Sequence, residues 1–166
     1  MAVHPSPSQP LIATAQNAAE APLDFPTVHV WNYDTLELVI TIGRTTGNGE
    51  GGSEEGAFAG SICCLAFSWP DAEGNSALAV VDGQENRILS IWEGFDASPT
   101  PLERKLCDAV ASEGEVLSAH FLPESANQLV LTGKGPETGE VGLWSFQRDD
   151  GEEEGGGLEK KQARRV

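Results

Sequence analysis

The side chains that first suggest chemistry in this 166-residue chain are three histidines, three cysteines and one aspartate set before a glycine. His4, His29 and His120 could act as bases or metal ligands, and Cys63, Cys64 and Cys107 as nucleophiles or soft ligands. Their spacing supports neither role. No histidine lies near a cysteine or aspartate at ligand spacing, and no C-x-x-C pair exists to hold zinc. A Cys–His nucleophile pair would rest on nothing beyond the presence of both residue types. Asp82 precedes Gly83 in the stretch DGQENR, where an aspartate caps a tight turn by accepting bonds from backbone amides. Gly47, Gly49 and Gly52 fit a bare G-x-G-x-x-G spacing, but the acidic residues around them would repel a pyrophosphate. The reading therefore names no catalytic, cofactor-binding or metal-binding residue, expects no cofactor, and expects no enzyme.

Charge narrows the partners. Asp and Glu number 26 against 10 Lys and Arg, a formal net charge of −16 and a pI near 4.3. Binding that relies on neutralising phosphates is disfavoured, so neither nucleic acid nor an anionic membrane surface is expected as a partner. No apolar run approaches the roughly 18 to 20 residues of a membrane span. Met1 to Pro10 has no Lys or Arg and no apolar centre, so it does not read as a secretory signal. The odd cysteine count fits a reduced, intracellular chain.

The elements that would position these residues come in three copies. Each opens with a short apolar stretch near a proline, continues with an apolar run, and closes on a tryptophan. The first copy has Ala2-Val3-His4-Pro5, Leu11 to Ala15, and Val28 to Trp31. The second has Cys64 to Phe67 with Pro70, Ala77 to Val81, and Ile88 to Trp92. The third has Ser118 to Phe121 with Pro123, Leu129 to Thr132, and Val141 to Trp144. In this alignment His4 and His120 occupy matching places in the opening phrases, which favours a packing role for both.

The runs are four to six residues long, rich in Val, Ile and Leu, and bounded by Gly, Pro, Asn and Asp. That is the pattern of buried strands. Pro101 to Ala111 has tolerable helical composition but no sustained apolar stripe, so the fold class is all-β. The expected architecture is about three four-stranded blades of an incomplete propeller ring, each blade burying a neighbour's apolar face. The closing tryptophans Trp31, Trp92 and Trp144 would sit at the end of the third strand, and Asp82 at a turn. The expected divisions are a partial first blade over 1–43, an acidic glycine-rich loop over 44–60, a second blade over 61–107, a third over 108–148, and a disordered acidic-then-basic tail over 149–166. Within the loop and tail, Glu50 to Gly60 and Asp149 to Gly157 together hold about half of the net charge.

The segments AVHP, LIATAQ, VHVWNYDTLE, CLAFS, AVVDGQENRILSIWE, VLSAHFLP, LTGK, LWSF and EKKQ resemble, in order and spacing, the first WD-repeat propeller of the EMAP-like (echinoderm microtubule-associated protein-like) family. The resemblance spans Ala2 to Gln162. Two departures stand out: the family pattern usually has glycine where Ala15 stands and aspartate where Asn32 follows the first tryptophan. The resemblance implies a non-enzymatic interaction scaffold, tubulin or microtubules as partner, and a cytoplasmic, cytoskeletal location. It also implies further blades, two joined propellers, and often a basic N-terminal region with a coiled coil. Three blades cannot close a ring, so the chain reads as a fragment or shortened product, marginally stable or aggregation-prone alone. The alternatives are a WD-repeat adaptor for a non-cytoskeletal assembly, and a propeller hydrolase, which would need convergent residues from several blades.

Overall fold

The structure, a computed structural model, describes residues 1–17, 25–43, 58, 60–83, 87–95, 104–112, 114–134, 139–147 and 158–165. These residues form twelve strands and, among them, no helix. Sheet one contains β1 (Ala2–Val3), β2 (Leu11–Gln16), β3 (Thr27–Asn32) and β4 (Glu37–Ile42). Sheet two contains β5 (Ile62–Phe67), β6 (Leu78–Asp82), β7 (Arg87–Glu93) and β8 (Arg104–Ser112). Sheet three contains β9 (Glu115–Phe121), β10 (Gln128–Lys134), β11 (Gly139–Phe146) and β12 (Leu158–Arg165). Every pairing is antiparallel between sequence neighbours, so each sheet is a simple four-strand meander.

The three sheets stack as blades and do not close on themselves. Alternation along each strand sends successive side chains to opposite faces, and both faces of sheet two are used. Leu78, Val80 and Trp92 join Leu11, Ala13, Val28, Val30 and Ile42 of sheet one in one apolar cluster. Ala79, Val81, Leu89 and Ile91 join Leu129, Leu131, Trp144 and Phe146 of sheet three in another. Leu78 to Asp82 are all buried, because β6 lies in the middle of the stack with a sheet on each side. The opening strands meet one another, β1 against β5 and β5 against β9.

An irregularity recurs in all three sheets. Pairing of the third strand with the fourth shifts between Val30 and Trp31, between Ile91 and Trp92, and between Leu143 and Trp144. In each case the fourth strand carries the extra residue just where the tryptophan begins. A bulge there increases local twist and re-aims the side chains beside it.

The observed boundaries differ from the expected divisions at three places. β8 continues past 107 to Ser112, since no glycine or proline interrupts the strand before Gly114. Residues 158–165, within the stretch read as a solvated tail, form β12 and complete sheet three by pairing with β11. In the glycine-rich loop, Phe58 is buried in the core between sheets one and two. Residues 44–57, 59 and 148–157 lie outside the described residues.

Candidate functional site

Each closing tryptophan is the third member of a row crossing its sheet. Strand pairing aligns Val3, Ile12 and Trp31 in sheet one, Phe67, Leu78 and Trp92 in sheet two, and Phe121, Leu129 and Trp144 in sheet three. The rows in sheets two and three face the preceding sheet. Trp92 and Trp144 are accordingly only 4% and 3% exposed, and both belong to the inter-sheet clusters.

Trp92 lies 5.6 Å, ring to ring, from Phe58 and donates its indole N–H to Ser90 Oγ at 2.8 Å. Phe58 in turn rests over Gly43, whose φ of +102° and lack of a side chain leave room for the ring. A Cβ at Gly43 would come within 2.6 Å of it.

The same row in sheet one faces outward. Trp31 is half-buried and belongs to neither cluster, and Val3 and Leu38 beside it are 56% and 48% exposed. Around this stripe the polar groups satisfy one another. Trp31 Nε1 donates to Thr14 Oγ1 at 3.1 Å, and His29 Nδ1 is 3.0 Å from Thr41 Oγ1. His29 Nε2 is 3.2 Å from Gln16 Oε1. The outward row is thus an apolar stripe flanked by hydroxyl, amide and imidazole groups already bonded within the sheet. Its geometry suits contact with another protein surface.

The histidines do not converge. His4 is buried where sheet one meets sheet two: Ser6 N–H donates to its Nδ1 at 3.1 Å, and Nε2 is 2.8 Å from Ser76 Oγ. Ser76 donates onward to Gln9 Oε1, so the imidazole lies in a buried chain of bonds between the two sheets. Burial lowers the His4 pKa below 6.5, partly opposed by the Ser6 carbonyl, which lies 3.4 Å from Nδ1 and would accept a proton held there.

The matching of His4 with His120 does not hold. His4 N bonds Leu11 O just as Ser68 N bonds Ala77 O and Leu122 N bonds Gln128 O. The partner of His4 in sheet three is therefore Leu122, and His120 lies two residues earlier, exposed on β9. Pro5 and Pro123 directly follow the equivalent positions His4 and Leu122, whereas His120 lies three residues ahead of its proline.

Asp82 is buried at the end of β6, where its Oδ2 accepts the Gly60 amide at 2.9 Å. That bond ties the entry of β5 to the exit of β6. The turn residues 84–86 lie outside the described residues. After Trp31, Asn32 Oδ1 accepts the amides of Asp34 and Thr35 at 2.9 and 3.1 Å, so asparagine makes the bonds an aspartate would make there. Ala15 is exposed, which gives its Cβ open space. Among the described residues, no group of three or more His, Cys, Asp or Glu could hold a metal ion.

No protein-family model matches the chain. Several curated relatives do. It is 33% identical over 136 residues to the 77 kDa echinoderm microtubule-associated protein of Lytechinus variegatus, covering 81% of this chain and 17% of the relative. It is 31% identical over 166 residues to echinoderm microtubule-associated protein-like 2 of Rattus norvegicus, covering 98% and 20%. It is 28% identical over 166 residues to echinoderm microtubule-associated protein-like 1 of Homo sapiens, covering 98% and 16%. The chain thus spans a fifth or less of the length of these relatives.

Proposed function

Echinoderm microtubule-associated proteins and EMAP-like proteins are homologues of nearly the whole of this chain, and from that premise we propose that it is a non-enzymatic WD-repeat scaffold, three blades of a larger propeller that works with microtubules or tubulin in the cytoplasm. The observation that carries the blade reading is the recurring row with its bulge, in which Trp31, Trp92 and Trp144 hold equivalent positions, Trp92 and Trp144 facing the preceding sheet and Trp31 facing outward. In this reading Trp92 and Trp144 are structural, joining blade to blade, and Asp82 is structural, holding the opening strand of its own blade. Trp31 takes the same part toward a further blade or protein partner.

The microtubule part of the proposal rests on the relatives, and charge sets its limits. Microtubule surfaces are acidic, and a chain at −16 is repelled unless a basic region or apolar contact outweighs that repulsion. This chain alone should therefore sediment weakly with the lattice at physiological salt. Proximity labelling from the full-length protein in cells should nevertheless enrich tubulin and microtubule-bound proteins over an unrelated β-sheet control. Tight sedimentation of the chain alone would refute the charge argument, and no enrichment of tubulin would refute the cytoskeletal reading.

A further inference from the structure

Each sheet of the stack has one face that receives the preceding sheet and one that is offered to the next. On the offered side three positions recur. They are Ala13, Val28 and Val30 in sheet one and Ala79, Leu89 and Ile91 in sheet two, all fully buried against the following sheet. Their equivalents in sheet three are Val130, Val141 and Leu143, because Val130 pairs with Leu143 as Ala13 pairs with Val30 and Ala79 with Ile91. These three are apolar as well, yet they are only half-buried and belong to neither core cluster.

On the receiving side the open face is that of sheet one. Among the described residues seven large hydrophobics are exposed, and five of them lie on sheet one, at its turn or just before its first strand. Val3 and Leu38 are the two that flank the Trp31 row. Where sheet one has Leu38 opposite its tryptophan, sheets two and three have Lys105 and Lys160. The row that meets no sheet within the chain thus carries an apolar residue where the two covered rows carry a charged one.

The chain therefore holds both halves of a blade-to-blade contact, each open and each with the pattern of the contacts already made inside it. Two like chains can join these halves head to tail, and such contacts close into a ring when the repeated rotation returns to its start. Propeller rings hold about 4 to 8 blades. Two chains of three sheets supply six, whereas three chains would exceed that range. Charge also fits. Within the chain β12 lies against β8, fourth strand to fourth strand, so the same step sets β12 of one copy beside β4 of the other. The pairing of Lys160 with Trp144 and of Leu38 with Trp31 puts Lys160 and Lys161 at the end of the blade where Asp34 and Glu37 stand.

We propose that the Trp31 face is an interface for a second copy of this chain, which seats the outer face of its sheet three on sheet one so that two copies form a six-blade ring. The proposal rests on the blade reading of the three sheets. His120 pairs with Val130 where Ala2 and Ala66 pair with Ala13 and Ala79, and each copy carries −16, so this contact is weaker than those inside the chain. It belongs to concentrations above the roughly micromolar range of spectroscopic unfolding, where the Trp31 face stays open.

Sedimentation velocity of the full chain in reducing buffer, from about 5 to 500 µM, tests it. The mass should rise from 17.6 kDa to twice that value with no larger species. Leu38→Asp and His120→Glu alter exposed residues on the two opposite faces. Each should hold the chain at 17.6 kDa at the highest concentration while leaving its far-UV circular dichroism unchanged. A wild-type chain that stays monomeric throughout would overturn the proposal, as would growth beyond two copies. So would a dimer lost in L38D and kept in H120E, since the sheet-one faces would then be pairing with each other. Urea unfolding of Trp92→Ala separates this failure from that of the blade reading: a monomeric chain that loses stability in W92A keeps its blades and lacks only the second copy, whereas an unchanged W92A midpoint removes the blades themselves.

Discussion

Replacing each closing tryptophan by alanine should give unequal losses, although the three positions are equivalent in sequence. Trp92 is 4% exposed, stacks obliquely on Phe58 and belongs to the core shared by sheets one and two. Truncating a buried aromatic of this kind costs about 3 to 5 kcal/mol in transfer and cavity terms. The lost bond to Ser90 adds little, since the Ser90 hydroxyl also reaches Val80 O at 3.4 Å. Trp31 packs on its own sheet alone, and its partner Thr14 can turn to water once the indole is gone. Its truncation should cost about 1 to 2 kcal/mol, the value of partial apolar burial.

Urea unfolding followed by far-UV circular dichroism reads the difference, because each variant removes one of the chain's four tryptophans and so disturbs fluorescence. With a slope of about 2 kcal/mol per molar urea, W92A should lower the midpoint by about 2 M and W31A by less than about 1 M. Should W92A not fold, W92F retains most of the buried ring and should fall between the two. A W31A loss as large as that of W92A would refute the assignment of stacking direction, since it would mean that the Trp31 face is as covered in solution as the Trp92 face.

Three smaller tests follow from single contacts. Because burial lowers the His4 pKa below its unfolded value of 6.5, the unfolded chain binds the extra proton; stability should be full above pH 6.5 and fall as pH drops through that value, with H4Q flattening the urea midpoint against pH. G83A should destabilise by about 2 kcal/mol or more in the same assay, because its Cβ would lie 2.2 Å from the Ser61 carbonyl oxygen and backbone cannot give way locally. N32A should lose about 1 kcal/mol by thermal melting while N32D stays within about 0.5 kcal/mol, since the carboxylate can accept the same two amides.

The opening three strands of each sheet were legible because burial on the stacked faces demands apolar runs and the third strand ends on a large aromatic. The fourth strands were less so. Arg104–Ser112 mixes buried Cys107 and Ala111 with exposed Asp108 and Val110, and Leu158–Arg165 carries one apolar residue ahead of a charged run. A closing strand can pair through its backbone without writing an apolar pattern. Phe58 was hidden for another reason: a single core aromatic among glycine and glutamate barely moves the composition of its segment. The mismatch between His4 and His120 shows that register is set by backbone bonds: the equivalent of His4 is Leu122, and His120 shares only a residue type with it. Cys63 is exposed where the pairing of β5 with β6 skips it between Ile62 and Cys64, a bulge that no local composition marks. The inequality of Trp31 and Trp92 could not be read locally at all, since it depends on which sheet lies beyond each one.

That inequality also bears on the outer faces of the stack. The inward faces are apolar where they carry the most weight: Leu11, Ala13, Val28 and Val30 on one sheet, and Ala79, Val81, Leu89 and Ile91 on the next. The outer face of sheet three alternates, with Ser118 and Thr132 hydroxyls bonded to each other at 2.6 Å beside His120, Val130 and Leu143. The outer face of sheet one also satisfies its own polar groups, through Thr14, Thr41 and Gln16. On the sheet-one face an arriving surface need not supply hydrogen bonds to these groups, so docking there leaves few buried polar groups unpaired. The gain there comes from apolar area, which the indole supplies with Ile12, Val3 and Leu38. A surface joining the stack at this face gains from that area, while the bonded hydroxyl, amide and imidazole groups flanking it limit nonspecific association.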